Sequence, residues 1–181
     1  MNELEMLSIL SKTLRFSSEK HKNQRRKNLD STPYINHPIA VFDTLIKCEV
    51  IDIATLESSL LHDTIEDTDT TPEELENNFG TEVKNIVLEL SDNKNLPKEE
   101  RKKIQIEKSP FLSDKAKLIK MADHFCNISD IYEEKPKFWT TKRCLQYVEW
   151  SEKVIKSCIG LNSKLEEIYY NIVKKTKNKL K

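Results

Sequence analysis

The stretch Leu60-Leu61-His62-Asp63-Thr64-Ile65-Glu66-Asp67-Thr68 places one imidazole and three carboxylates directly after two apolar residues. Residues three and four positions apart share a face of a helix, so these ionisable groups are expected to lie within about two turns of one another. Burying three unpaired carboxylates together costs free energy, and a bound cation would offset that cost. A solvated acidic helix end is the commoner origin of such a pattern. The rest of the chain favours a cation site.

The overall composition limits the classes of protein to which the chain can belong. Its 181 residues suffice for one domain with its own core, and we assign residues 1–181 to a single domain. The 30 basic and 30 acidic residues cancel, which argues against a general nucleic-acid or membrane-surface binder. There is no apolar run of roughly 20 residues and no secretory signal pattern. We therefore expect a cytoplasmic protein with reduced cysteines and no nucleic-acid or membrane partner.

The pattern of apolar residues predicts helices. Only two glycines occur, which excludes the glycine-rich phosphate loops of P-loop and dinucleotide folds. Apolar residues recur at helical spacing, and short polar segments separate the periodic stretches. The predicted helices span residues 3–22, 38–48, 53–65, 72–79, 83–90, 113–131 and 139–159, with a last one from residue 163. The predicted fold is all-α, a single helical bundle with no significant sheet.

Two further residues have the setting that a metal ligand requires. His37 stands at a proline-bounded helix start, where a lone histidine is more often a packing residue but where a ligand would be rigidly placed. Asp123 falls among apolar residues, so its carboxylate is expected to be paired or bound to a metal. With His62 and Asp63 they offer two imidazoles and two carboxylates, leaving one or two positions for water or substrate. This ligand set suits Mn²⁺ or Fe²⁺, with Zn²⁺ as an alternative.

Other charged residues near these positions suit phosphate chemistry. Glu66 and Asp67 follow the ligands too closely to be needed as ligands themselves, and they could orient or deprotonate an attacking water. A basic cluster includes Arg26 and Lys27. Such a run is commonly a solvated helix end, and its alternative role is a phosphate-binding patch, because arginine presents a fork of donors to phosphate oxygens.

Several motifs occur together in the order found in a known enzyme family. They are Gln24-Arg25-Arg26-Lys27, Thr32-Pro33-Tyr34-Ile35-Asn36-His37-Pro38, the stretch Leu60–Thr68, Phe79-Gly80, Leu96-Pro97-Lys98 with Glu100-Arg101-Lys102, and Ala116-Lys117-Leu118-Ile119-Lys120-Met121-Ala122-Asp123. An HD dipeptide alone is weak evidence, whereas this ordered set is specific. Over nearly its whole length, the chain resembles the HD-superfamily hydrolase domain of the RelA/SpoT enzymes, and above all its small stand-alone metazoan branch.

The resemblance implies an activity and a role for each matching residue. The activity is Mn²⁺-dependent hydrolysis of the 3′-pyrophosphate of guanosine 3′,5′-bis(diphosphate), hereafter ppGpp, giving GDP and pyrophosphate. The implied metal ligands are His37, His62, Asp63 and Asp123, the catalytic pair is Glu66 and Asp67, and the substrate contacts are Arg26, Lys27, Lys98, Asn127, Arg143 and Tyr147. Bifunctional relatives carry a synthetase domain after this one. Because the chain ends at Lys181, we expect hydrolysis without synthesis.

Alternatives and departures from the family pattern qualify this assignment. The same site could act as an NADPH 2′-phosphatase or on another nucleotide, and a non-catalytic nucleotide-binding HD protein is less favoured because Glu66 and Asp67 are intact. His124 and Ser129 stand where the family usually has lysine and arginine, which bears on substrate affinity. The loop of residues 28–31 also departs from the pattern. We expect His21 and His124 not to be metal ligands.

Overall fold

The computed structural model describes residues 2–181, and its regular structure is helical. The helices are α1 (Glu3–Lys20), α2 (Asn36–Lys47), α3 (Ile53–Leu61), α4 (Thr64–Asp67), α5 (Pro72–Leu90), α6 (Lys98–Lys108), α7 (Asp114–Glu133), α8 (Thr141–Ile155) and α9 (Ser163–Lys179), with a 3₁₀ turn at Ser109–Phe111. Between residues 2 and 181 there is no sheet, and one isolated bridge joins Arg25 to Pro33. The prediction of an all-α fold is confirmed.

Local sequence signals account for several helix ends. The Thr71 side chain accepts a hydrogen bond from the backbone N–H of Glu74, and Pro72 occupies the first turn of α5. Gly80 interrupts α5 with a φ of 85°, a conformation that glycine adopts without strain. The two predicted segments on either side of Gly80 are therefore two helices that meet at a sharp break within the span Pro72–Leu90.

The helix predicted over residues 53–65 was wrong in its last turn. Helix α3 ends at Leu61, a turn at His62 and Asp63 follows, and α4 then begins at Thr64. At this break the Thr64 hydroxyl donates to Leu61 O at 2.7 Å and His62 Nδ1 donates to Ser59 O at 2.7 Å, so side chains satisfy two of the helix-end carbonyls. The backbone of His62 and Asp63 stays in the right-handed helical region, so the two side chains keep nearly the helical spacing that the sequence argument used.

Helices α3 and α7 run through the interior and carry the candidate site. Every residue of α3 after Ile53 is buried, and α7 packs against α2, α3, α5, α8 and α9. The buried apolar side chains of these helices form one cluster, which includes Leu45, Leu61, Ile119 and Tyr169. The four cysteines are buried free thiols. None of the helices in residues 2–181 combines the length and apolarity that crossing a bilayer requires.

Candidate active site

The four predicted metal ligands lie together. His37 comes from the first turn of α2, His62 and Asp63 from the turn after α3, and Asp123 from the middle of α7. Ligand atoms of His37, His62 and Asp123 all lie within 4.8 Å of one another. The Asp63 carboxylate lies 3.0 Å from His62 Nε2 and 3.9 Å from His37 Nε2. Both imidazoles are buried, so the cluster is anchored in the interior.

The His62 ring shows that this cluster suits a cation. Its Nδ1 must carry a proton, because the Ser59 carbonyl at 2.7 Å can only accept a hydrogen bond. Its Nε2 is buried without a hydrogen-bond partner, 3.0 Å from Asp63 and 4.0 Å from Asp123. An imidazole whose outer N–H is fixed by a backbone carbonyl, with its inner nitrogen beside carboxylates, is a common arrangement of a metal ligand. The chain therefore carries a cluster of two imidazoles and two carboxylates that fits a divalent cation.

The electrostatics of the cluster favour positive charge at its centre. Burial disfavours the imidazolium of His62, but the adjacent Asp63 carboxylate outweighs it and raises the pKa of His62 to about 9. Burial likewise opposes ionisation of Asp63 and Asp123, but the two histidines hold the pKa of each carboxyl well below its usual range. Carboxylates that stay ionised while buried are what a cation site requires.

A tyrosine that the sequence analysis left without a role orients one of these carboxylates. The Tyr34 hydroxyl donates to Asp63 Oδ2 at 2.6 Å, and burial beside Asp63 raises the pKa of Tyr34, which keeps this hydroxyl protonated. Tyr34 stands three residues before His37, in the motif that carries this ligand. The sequence signal that could have identified Tyr34 was its position three residues before the predicted ligand His37.

The other carboxylate is held by a chain of polar contacts. Asn127 donates from Nδ2 to Asp123 Oδ1 at 2.6 Å, and Arg26 Nη2 donates to Asn127 Oδ1 at 3.2 Å. Arg26 also forms an ion pair with Asp130. Arg26 and Asn127, both predicted as substrate contacts, thus form a hydrogen-bonded chain that ends at the Asp123 carboxylate.

Glu66 and Asp67 both line the cavity that adjoins the cleft, but only Glu66 also lines the cleft itself. Glu66 lines the cleft that contains the metal cluster; its Oε2 accepts the N–H of Asp92 at 3.0 Å, and Arg101 Nη1 lies 3.5 Å from its Oε1. Burial raises the pKa of Glu66 to about 7. Asp67 instead lines an adjoining cavity and forms an ion pair with Lys94. Only Glu66 of the predicted pair therefore lines the same cleft as the ligands.

Asp67 is fixed by a relay that begins at His21. Gln24 Nε2 donates to Asp67 Oδ2 at 2.7 Å, and Gln24 Oε1 accepts from His21 Nδ1 at 2.7 Å. Because His21 Nδ1 donates to the amide oxygen, the Gln24 amide is oriented with its NH₂ toward Asp67. His21 therefore acts on the site indirectly, and it lies outside the metal cluster.

The cleft above the cluster is cationic and partly aromatic. Its volume is about 390 Å³, and a neighbouring cavity of about 530 Å³ shares several of its lining residues. The Arg143 guanidinium lies 4.4 Å from the centre of the Trp139 ring, and Lys98 Nζ lies 5.8 Å from the same centre. Of the predicted substrate contacts, the cleft is lined by Lys27, Lys98, Asn127, Arg143 and Tyr147, while Arg26 lines the neighbouring cavity.

The two residues that depart from the family pattern, His124 and Ser129, lie in different cavities of the structure. His124 lines the cleft, and its Nδ1 lies 2.8 Å from the Ser151 hydroxyl; burial lowers the pKa of His124 to about 4, so the ring is neutral. Ser129 points elsewhere, into a cavity of about 640 Å³ between α2, α7 and α9 that contains none of the predicted site residues. The replacement of the family's usual lysine by His124 therefore changes the lining of the cleft, whereas the replacement of its usual arginine by Ser129 does not.

Comparisons with known proteins identify the family of this chain. The HD domain family model matches residues 13–147. The chain belongs to the HD domain family. A guanosine-3′,5′-bis(diphosphate) 3′-pyrophosphohydrolase MESH1 from Xenopus tropicalis is 46% identical over 160 residues, covering 88% of this chain and 89% of that protein. The Homo sapiens protein of the same name is 45% identical, with the same coverage.

A solved structure supports the same relationship. It belongs to a metazoan ortholog of SpoT that hydrolyzes ppGpp and plays a role in starvation responses. The two chains superpose with a TM-score of 0.89 at 40% identity, over 92% of this chain and 94% of the other. The resemblance that the ordered motifs indicated is confirmed.

Proposed function

We propose that this chain hydrolyses the 3′-pyrophosphate of ppGpp and releases GDP and pyrophosphate. One observation carries the proposal: the cluster of His37, His62, Asp63 and Asp123 lines a single cleft with Glu66, and the other walls of this cleft are cationic. The MESH1 relatives, which match nearly the whole chain, are named for this reaction.

The metal in this proposal is Mn²⁺, held by His37, His62, Asp63 and Asp123. A divalent cation in this position supplies Lewis-acid polarisation of a phosphoryl oxygen and lowers the pKa of bound water. Tyr34 and Asn127 would keep the two carboxylates in place, since each donates a hydrogen bond of 2.6 Å to one of them. Two nitrogen and two oxygen donors without a thiolate favour Mn²⁺ or Fe²⁺ over the softer thiolate-bound metals.

Glu66 is the proposed general base. A general base works best when its pKa lies near the pH at which the enzyme acts, and the Glu66 carboxylate, with a pKa of about 7, meets this condition at neutral pH. In the step, the water oxygen bonds to the phosphorus attached to the 3′-oxygen, the bond from phosphorus to that oxygen breaks, and Glu66 takes the water proton. The departing 3′-oxygen takes up a proton from solvent and leaves as a hydroxyl, and Glu66 then returns its proton to solvent. Asp67, held by Gln24, would position Glu66 and the substrate from the adjoining cavity.

The nucleotide is proposed to lie along the cationic and aromatic walls. Lys27, Lys98 and Arg143 have no carboxylate within ion-pair distance in residues 2–181, so their charges are available to phosphates. Tyr147, between Trp139 and Trp150, gives an aromatic surface for the nucleoside.

The test is incubation of purified protein with ppGpp and Mn²⁺, with and without chelator, followed by product analysis. We expect pyrophosphate and GDP to form only without the chelator. The same assay with NADPH measures the competing 2′-phosphatase activity. A kcat/KM for NADPH equal to or above that for ppGpp would overturn the assignment of substrate.

A further inference from the structure

The cleft contains a buried cation for which neither the motifs nor the proposed reaction has provided a role. Lys120 lies on α7 three residues before Asp123, so the two side chains leave the helix on neighbouring turns. It lines the same cleft as the metal cluster, although only 8% of its surface is exposed. Its sequence neighbours Ile119 and Met121 are buried in the core. Lysine is seldom buried to this degree unless an anion compensates its charge.

The protein itself supplies no such anion. Within residues 2–181, no carboxylate lies within ion-pair distance of the Lys120 ammonium and no acceptor receives a hydrogen bond from it. Several less buried lysines are paired: the half-buried Lys115, for example, lies 2.9 Å from Asp52 and 2.7 Å from Glu82. The most buried lysine of the described chain is thus left without a partner, at the edge of a cavity that a ligand can enter.

The surrounding charges increase the need for an anion. Lys27, Lys98, Lys102 and Arg143 line the same cleft, and none of them has a carboxylate partner between residues 2 and 181. Burial, together with the like charges of Arg143 and Lys102, lowers the pKa of Lys98. A single monovalent anion would leave most of this positive charge uncompensated, whereas a diphosphate carries enough negative charge to offset it.

We propose that the Lys120 ammonium binds the distal phosphoryl group of the 3′-diphosphate and retains it in the pyrophosphate product. The inference rests on the proposed hydrolysis, and it adds a binding residue for the part of the substrate that is transferred to water. One turn separates Lys120 from the ligand Asp123, so a diphosphate whose reacting phosphorus lies at the metal cluster extends its second phosphoryl group toward Lys120. Lys98 and Arg143, beside Trp139, are left for the remaining phosphates.

The test compares Lys120→Met with Lys117→Met. Methionine keeps the unbranched apolar stem and removes the charge; Lys117 lies one turn earlier on α7, also lacks a carboxylate partner, and does not line the cleft. The probe is inorganic pyrophosphate, titrated calorimetrically into protein with Mn²⁺ in excess. We expect Lys120→Met to bind pyrophosphate roughly 10- to 100-fold more weakly, the usual effect of losing a hydrogen bond to a charged group. Lys117→Met should bind like the parent protein, and Lys120→Arg should bind more tightly than Lys120→Met.

Each outcome bears on one proposal. Unchanged pyrophosphate affinity in Lys120→Met, with a parent-like circular dichroism spectrum, would overturn the role of Lys120. A parent protein that fails to hydrolyse ppGpp but binds pyrophosphate through Lys120 would overturn the proposed function and leave the anion site standing. If Lys120→Met does not fold, Lys120→Gln is measured instead, and the same loss of affinity is expected.

Discussion

The cleft has two walls that are built on different physical principles. The wall of candidate metal ligands comes from α2, α7 and the end of α3, whose side chains fill the core. The opposite wall includes α6, which has no buried residue and is held mainly by polar contacts. Arg101 of α6 lies 3.9 Å from Asp92, Gln105 donates to the same carboxylate at 2.6 Å, and the Trp150 ring N–H donates to Lys102 O at 3.1 Å.

This difference separates the two tasks of the site. Ligands need a fixed geometry, and close packing of their helices provides it. Cations that are proposed to bind a flexible polyphosphate need charge more than rigidity, so a helix held by half-buried polar contacts is sufficient. Substitutions in the first wall should therefore abolish activity, whereas those in the second should change its rate or pH dependence.

The largest effect should follow loss of a ligand. Asp123→Asn keeps the shape of the side chain and removes one negative charge from the cluster, so we expect metal content to fall close to zero and kcat/KM to fall about 1000-fold. Metal content is measured by elemental analysis after desalting. Asp43→Asn, on the surface of α2, is the matched control and should retain both. A fully metallated Asp123→Asn would show that the cluster is not the metal site.

Glu66→Gln tests the carboxylate that lines the cleft with the candidate ligands and lies beside Arg101 of α6. The amide cannot accept the water proton, so we expect kcat to fall about 100- to 10,000-fold while metal content stays at the level of the parent protein. Steady-state rates and elemental analysis on the same preparation separate chemistry from metal loss. Unchanged turnover in a pure preparation would remove Glu66 from the mechanism.

The pH dependence of metal binding should distinguish the ligand wall from an ordinary acidic patch. In the metal-free protein the pKa of His62 is raised to about 9 by Asp63, so His62 is protonated at neutral pH and an incoming cation must displace that proton. Affinity should therefore weaken about tenfold for each unit by which the pH falls below 9. Titration of chelator-treated protein with Mn²⁺ at pH 6, 7 and 8 measures this slope. An affinity independent of pH in this range would contradict the proton–metal competition.

The sequence was sufficient to name four residues that the structure brings together, and insufficient for much of their surroundings. His37, His62, Asp63 and Asp123 could be predicted because apolar periodicity locates the helices and the family motifs mark polar residues within them. The break after Leu61 could not, since no glycine or proline marks it and the backbone of His62 and Asp63 stays close to helical. Its hydrogen bonds depend on side-chain conformations that spacing does not reveal.

Charged residues were the other source of error. Helix α6 was absent from the predicted helices, because its sequence is dominated by charge and it buries no side chain. Arg101 received no role, although it is the residue of α6 that contacts Glu66. Lys120 sits between two core residues, yet a lysine is ordinarily exposed, so periodicity could not show that its stem is buried. In each case the function of the charge follows from its tertiary neighbours.

The smallest predicted effect concerns the polar wall. The Arg101 guanidinium lies 3.5 Å from Glu66, where it favours the ionised carboxylate and offsets part of the burial that raises the pKa of Glu66 to about 7. A base must be deprotonated to act, so kcat should rise with pH through that pKa. Arg101→Met removes the stabilising cation, so the pKa should rise and the acidic limb of the kcat profile should move about one unit toward higher pH.

Profiles of kcat against pH at saturating ppGpp measure this shift, with Lys103→Met as the control, since Lys103 is exposed on the same helix and lies 3.7 Å from Glu107. At high pH the Arg101→Met enzyme should approach the parent rate, because its base is then fully ionised. A rate lowered equally at every pH would instead mean that Arg101 binds the substrate and does not tune Glu66. In that case residues of both walls would contact the nucleotide directly. The pKa of Glu66 would then be set by burial and by the hydrogen bond from the Asp92 N–H, without a contribution from Arg101.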